Sequence, residues 1–262
     1  MKRRAIINLI TGVFSLCFIV CALPVYGESS LTLVPDKKKV AMGLRFGGDT
    51  IAFHGTIPQP GTSLIVRVES ENNPPLKLSR KGKMVFFWMS VKQFEISEVP
   101  FLYKIICSGK LNETLNENQK KELHIGYEAL KESMKLELIK GKSSNDDNQV
   151  VFDGFLKMKE QFGLYEIVED AIAINDDLSF TFALHFSDRA VEGNYEIECF
   201  ALKDGALLGK SKDSIAIEKV GLAKWLTTMA QHHGALYGII AVIVAILVGL
   251  LAGFIFKGKG GH

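Results

Sequence analysis

Hydrophobic positions along this chain follow three different rhythms. From Leu31 to about Ser97 they come in short bursts. Val40–Leu44, Thr50–Thr56, Ser63–Glu69, Leu76–Arg80 and Met84–Ser90 are rich in β-branched and aromatic residues. Gly47-Gly48-Asp49, Pro58-Gln59-Pro60-Gly61, Asn72-Asn73-Pro74-Pro75 and Lys81-Gly82-Lys83 punctuate them. Such bursts between turn residues predict strands, and their even spacing predicts a sandwich. Gly47-Gly48-Asp49 reads as a hairpin turn.

From Val99 to about Tyr165 the period lengthens. Phe101–Gly109 reads as a short helix. Within Asn116–Lys140, the residues Leu123, Tyr127, Leu130, Met134 and Leu138 recur at three and four, the stripe of a helix facing a core. Gly141–Asn148 is a polar loop. Val151–Phe162 is a third helix, with Phe152, Phe155, Leu156, Lys159 and Phe162 at helical spacing and Gly163 as its stop.

Alternation then returns in Ile167–Ile174, Leu178–Phe186, Asn194–Lys203 and Ser214–Lys219, with turns at Asn175-Asp176-Asp177 and Lys203-Asp204-Gly205. Tyr195, Ile197 and Cys199 face one way and Glu196 and Glu198 the other, as in a sheet with one dry and one wet face. The expected fold is mainly β: an immunoglobulin-like β-sandwich with a helical insertion. Two small β units around a helical linker are the alternative.

Both ends of the chain are apolar. Lys2, Arg3 and Arg4 precede an apolar run from Ala5 to Leu23, and Val25 and Gly27 supply small residues before Glu28. That is the pattern of a signal peptide over 1–27, with an uncleaved anchor as its rival. At the other end Leu236–Phe256 carries no charge. At about 1.5 Å per residue it is long enough for the ~30 Å hydrocarbon core of a bilayer. Lys257 and Lys259 follow in the short tail 257–262, which places that tail in the cytoplasm and the body in the periplasm. Before the span, Leu222, Trp225, Leu226, Met229 and Ala230 line one side of a helix over 220–234. This amphipathic helix is expected on the membrane surface, the alternative being a helix packed on the body. Trp225 and Tyr237 are the expected interfacial aromatics. Ala241, Ala245, Gly249 and Gly253 recur every fourth residue of the span, a small-residue face suited to another helix. The parts are therefore 1–27, 28–98 and 166–219 as β-rich halves, 99–165 as insertion, 220–234, the transmembrane helix 235–256, and the tail.

Charge changes the picture little. The chain has 31 basic and 29 acidic residues. Lys2, Arg3, Arg4, Lys257 and Lys259 lie outside the body, so 31 − 5 = 26 basic residues face 29 acidic ones there. A weakly acidic body without a basic stripe argues against nucleic acid. Cys17 and Cys21 fall in the first apolar run; Cys107 and Cys199 remain, expected as separate buried thiols, with one disulfide as the alternative.

Candidate chemistry is sparse. The six histidines form no H-x-x-x-H or H-E-x-x-H pattern. His232 and His233 are adjacent, and neighbours on a helix point about 100° apart, so they suit one metal poorly. Asp146-Asp147 and Asp176-Asp177 read as turns. No G-x-S-x-G or phosphate loop is present. Phe86, Phe87 and Trp88 are expected in the core or on a sheet surface. No catalytic residue, metal or cofactor is expected.

Several segments resemble one family. They are Val99-Pro100-Phe101-Leu102-Tyr103, the stretch 152–165 ending Phe162-Gly163-Leu164-Tyr165, and the strand Gly193-Asn194-Tyr195-Glu196-Ile197. Lys203-Asp204-Gly205 and Lys219-Val220-Gly221, leading into Gln231-His232-His233-Gly234, complete the set. They are similar to a transmembrane protein family best known from alphaproteobacteria. The resemblance implies an exported protein with one C-terminal span, often accompanying a sulfite-exporter-type permease, and it carries no catalytic residues. The resulting expectation is a non-catalytic accessory of a membrane transporter, bound to the bilayer and to a permease or to its own copy. A periplasmic solute- or metal-binding module is the alternative.

Overall fold

The computed structural model describes residues 30–84 and 86–257. The predicted signal peptide and Lys259 lie outside the described residues. Thirteen strands and six helices are described. The strands are β1 Val34–Pro35, β2 Lys39–Met42, β3 Asp49–Thr56, β4 Ser63–Ser70, β5 Leu76–Met84, β6 Phe87–Ser97, β7 Tyr103–Cys107, β8 Lys135–Lys140, β9 Tyr165–Val168, β10 Ala173–Ile174, β11 Ser179–Phe186, β12 Gly193–Lys203 and β13 Ala206–Lys219. The helices are α1 Leu111–Thr114, α2 Glu117–Glu122, α3 Tyr127–Ser133, α4 Asp147–Gln161, α5 Gly221–His232 and α6 Gly234–Lys257.

Two sheets form the sandwich. One has the order β1-β3-β11-β10, the other β2-β13-β12-β4-β7-β9. The first reproduces the A-B-E-D order of an immunoglobulin sheet, and β13-β12-β4 take the places of G, F and C. Alternation decides which side chains meet. In β11, Phe180, Phe182, Leu184 and Phe186 are buried and the residues between them are not. Phe186 meets Tyr195 of β12 edge-on, with centroids 5.2 Å apart, and this contact ties sheet to sheet. The Tyr195 hydroxyl donates to Val191 O at 2.7 Å and accepts from Val191 N. That is the tyrosine corner of immunoglobulin folds, at the start of the F strand.

The other side of the six-stranded sheet is covered by the insertion between β4 and β10. Tyr103 donates to His124 O and accepts from Gly126 N, and Phe155 of α4 packs edge-on against Tyr165. A third sheet, β5-β6-β8, is appended here.

Three expectations are corrected. Phe101–Gly109 contains β7, not a helix, and all five strand residues are buried. A short apolar run buried on both faces carries no period to separate the two. Asn116–Lys140 is broken rather than continuous. His124 and Gly126 have φ of 53° and 98°, and Lys135–Lys140 is a strand. Four residues is one helical turn but also two pleats, so Met134 and Leu138 fit either. Gly47-Gly48-Asp49 joins strands of different sheets and closes no hairpin. Gly48 has φ 98°, and a Cβ there would stand 2.7 Å from Phe186 O. The Val151–Phe162 helix appears as α4. Asp204-Gly205 forms a two-residue hairpin with φ of 50° and 77°, the pattern of a type I′ turn.

Candidate functional site

The route to the membrane starts at the end of β13. Val220 N donates to Met42 O at 3.0 Å, and Lys219 pairs with Glu192 at 3.3 Å. Gly221, at φ 58°, then turns the chain into α5. Gly234 starts α6, and the break between the two helices falls at His233 with φ −133° and ψ 47°. The unfavourable left-handed geometry is met where a strand becomes a helix, which is where a missing Cβ matters.

No residue of α5 is buried. Leu222 and Trp225 are exposed, with Leu226 and Met229 half-buried on the same side. α6 touches α5. Its 22-residue apolar stretch Gly234–Ile255 is not buried anywhere by the chain. Tyr237 stands exposed in its first turn, and Ala241, Ala245, Gly249 and Gly253 are all exposed. Leaving such a helix in water would be very costly at about 25 cal/mol per Å². A bilayer removes that cost, and the intrahelical bonds satisfy the backbone there.

The body offers little reactive chemistry. No group of three or more His, Cys, Asp or Glu among the described residues could hold a metal. His54 faces Asp36 at 3.4 Å, and His185 Nδ1 bonds Thr50 Oγ1 at 3.0 Å. Cys107 and Cys199 are free and buried, and burial pushes both thiols up to about 12. They are therefore not thiolates at neutral pH. An open groove of about 550 Å³ beside β9 is lined by Lys104, Tyr127, Tyr165, Glu166 and His185. Its Lys104 is already paired with Glu166 at 2.8 Å.

Two buried polar features were not legible as such. Glu198, expected on the wet face, is only 4% exposed. It is held by Arg67 and by Lys210, the latter at 2.6 Å. Burial raises its pKa, but the Lys210 bond and the Arg67 charge outweigh this and hold it below the usual glutamate value. Arg67 also donates to Leu123 O at 2.5 Å, which binds the sheet to the insertion. Lys159 of α4 is buried among Phe101, Phe155 and Tyr165, with Nζ donating to Phe101 O at 2.6 Å. Its helical spacing with Phe152 and Phe155 was the one available signal. Phe86, expected in the core or on a sheet, is 83% exposed at the β5–β6 tip.

A β-sandwich that ends in an uncovered apolar helix, the one helix among the described residues long and apolar enough to cross a membrane, defines a membrane-anchored protein. The chain belongs to the family described as "Putative transmembrane protein (Alph_Pro_TM)", whose model matches residues 31–258. No curated protein matches it.

Proposed function

We propose that this protein is a membrane-anchored extracytoplasmic accessory of a membrane transporter, with no catalysis of its own. The observation that carries the reading is α6, an apolar helix that the body leaves uncovered from end to end. Its Ala241, Ala245, Gly249 and Gly253 form a shallow face on which another helix can approach closely. In lipid, packing and weak hydrogen bonds drive such pairing, because lipid tails are as apolar as leucine. The family resemblance points to a sulfite-exporter-type permease as the partner, with a second copy as the other occupant. The basic residues at both chain ends support a body outside and a tail inside. A solute-binding reading would use the groove beside β9, and the internal pairing of Lys104 with Glu166 gives it less support.

The test replaces Gly249 and Gly253 with Leu, which fills the groove and keeps insertion favourable. Co-purification with the permease from native membranes is expected to fall, and retention of both permease capture and self-association at wild-type level overturns the helix contact. A reporter active only in the cytoplasm, fused after His262, is expected to work; activity of an export-dependent reporter instead reverses the orientation.

A further inference from the structure

We propose that the free edge of β5, walled by α4, is a docking groove for an extended, acidic segment of a partner protein, which adds to the third sheet as a strand. The groove belongs to the folded body alone and is independent of which helix α6 meets.

The edge follows from the strand order. In β5-β6-β8, β5 stands at one side with β6 as its strand neighbour. Leu76 to Arg80 pair in register with Ile96 to Lys92. An antiparallel strand bonds each neighbour through alternate residues, so every other N–H and C=O of this stretch points away from the sheet. Among the described residues no backbone hydrogen bond from another element reaches them.

A pocket lies against this edge. Leu78 pairs with Phe94 and Phe94 with Leu138, so the three form one row across the sheet. The row looks toward α4, because Lys92, on the same face of β6 as Phe94, reaches Asp147 of that helix. Val150 and Gly154 stand one turn apart on α4. With Val151 they wall a groove of about 230 Å³ over Leu78 and Phe94. Gly154 keeps it open. Glycine is a poor helix former in mid-helix, and a Cβ at Gly154 would meet nothing within 4 Å. Packing therefore does not demand a glycine there, and the missing side chain leaves room beside β5. Val150 is 43% exposed at the rim.

Charge selects the occupant. Arg80 also lines the groove. Both oxygens of Asp147 accept from Lys92, at 2.7 and 2.8 Å, and one also accepts from Ser144 N. Arg80 stays 3.9 Å from Asp147 with its side chain half exposed, so its guanidinium fork is open to a second carboxylate. Lys77 and Lys81 are exposed beside it, and Leu76 to Lys81 contains no acidic residue. A second β5 laid on this edge would set these cations against their own copies, which the pairing of strands disfavours. An acidic strand is attracted instead. Leu78 and Arg80 share a face, so the incoming strand presents an apolar side chain to the pocket and a carboxylate two residues away to Arg80. Main-chain bonds supply affinity and these two positions supply selectivity.

The experiment uses the full chain in nanodiscs of neutral lipid. The probe is a dye-labelled peptide, Thr-Glu-Thr-Val-Thr-Glu-Thr, which offers the required pattern in either strand direction. Fluorescence anisotropy should show saturable binding, and the amides of Leu76–Arg80 should gain protection from hydrogen exchange. Gly154→Leu fills the pocket and Arg80→Glu reverses the charge, and each should weaken binding about tenfold or more. Gly154→Leu should melt at or above the wild-type temperature, which separates a filled pocket from a damaged fold. Methylating the peptide nitrogens of one alternate set should abolish binding, and methylating the other set should leave it. Equal affinity for both methylated peptides overturns strand addition. Binding that survives Gly154→Leu and Arg80→Glu unchanged, or no saturation up to about 1 mM peptide, overturns the groove. Cross-linking of Ser79→Cys copies to each other without peptide also overturns it and gives the edge to a second copy.

Discussion

Cys107 and Cys199 lie on opposite faces of the six-stranded sheet, with β4 between them. Cys199 pairs with Val66, and Cys107 pairs with Ile65, its neighbour. Successive residues of a strand point to opposite faces, so no rotamer brings the two sulfurs together. Cys199 points into the sandwich and Cys107 toward the helices. β3, in the B position, carries no cysteine, so the inter-sheet disulfide of antibody domains has no counterpart here.

The expected outcome is two body thiols that stay reduced even in an oxidising compartment. Both should resist alkylation until the protein is unfolded, because they are buried and their thiols are pushed up to about 12. Mass measurement after denaturing alkylation should find both labelled. A disulfide-bonded body would show that the two cysteines do not flank β4 as this strand order places them.

How much of this was legible in the sequence depends on how many faces of an element are dry. Strands with one solvated face, such as β11, carry a clean period of two and were placed within a residue. β7 is dry on both faces, so its sequence carries no period of two and Tyr103–Cys107 reads as helix. The role of Glu198 was hidden for the opposite reason. Alternation correctly put it opposite Cys199, but only the fold brings Arg67 and the insertion over that face. The helix α6 was legible because a bilayer imposes length and composition locally, with no tertiary partner needed.

Tyr195→Phe tests the corner between β11 and β12. The hydroxyl is donor to Val191 O and acceptor from Val191 N. Removing it leaves both backbone groups short of a partner at a part-buried site, at a cost of about 1–3 kcal/mol. Phenylalanine keeps the ring contact with Phe186. Chemical denaturation of the full chain in detergent should show this loss at an unchanged slope. An unchanged midpoint would mean that water replaces the hydroxyl.

Arg67→Ala removes the more buried of the two cations that face Glu198, because the Lys210 side chain is half in solvent. Breaking a buried pair on one side costs about 3–5 kcal/mol. The double change Arg67→Met with Glu198→Leu should recover most of it, since an apolar pair of similar size leaves no charge stranded. The pH dependence follows from the direction of the shift. A glutamate held below its ordinary value of 4.5 contributes stability that is full above that value and is lost as pH falls through the folded value. Neighbouring Glu69, raised by burial, shifts oppositely. The difference between wild type and Glu198→Gln isolates the term, and it should shrink as pH drops below about 4.5.

Lys159 makes the opposite case, a cation that the fold would rather have neutral. It is 4% exposed, and no salt bridge reaches it among the described residues. Three aromatic rings surround it, with Phe101 nearest at 4.2 Å to the centroid. Their attraction for a desolvated cation, about 2 kcal/mol or more, offsets part of the lost hydration. The remainder pulls its pKa down from 10.5 to about 8. Below about 8 the lysine is charged in both folded and unfolded chain, and the burial penalty is fully present. Between about 8 and 10.5 the unfolded chain holds a proton that the folded one has released, so stability rises with pH. The buried hydroxyls of Tyr103 and Tyr165 are pushed up and stay protonated across this window. Lys159→Met keeps the stem and removes the charge. It should be at least as stable as wild type at neutral pH, and wild type should gain on it steadily as pH rises through the window. Thermal melts of both proteins in the same buffers give the difference directly, with other titrations cancelling. A gap that stays constant across the window would show that the rings and the Phe101 carbonyl fully replace the water that burial removes.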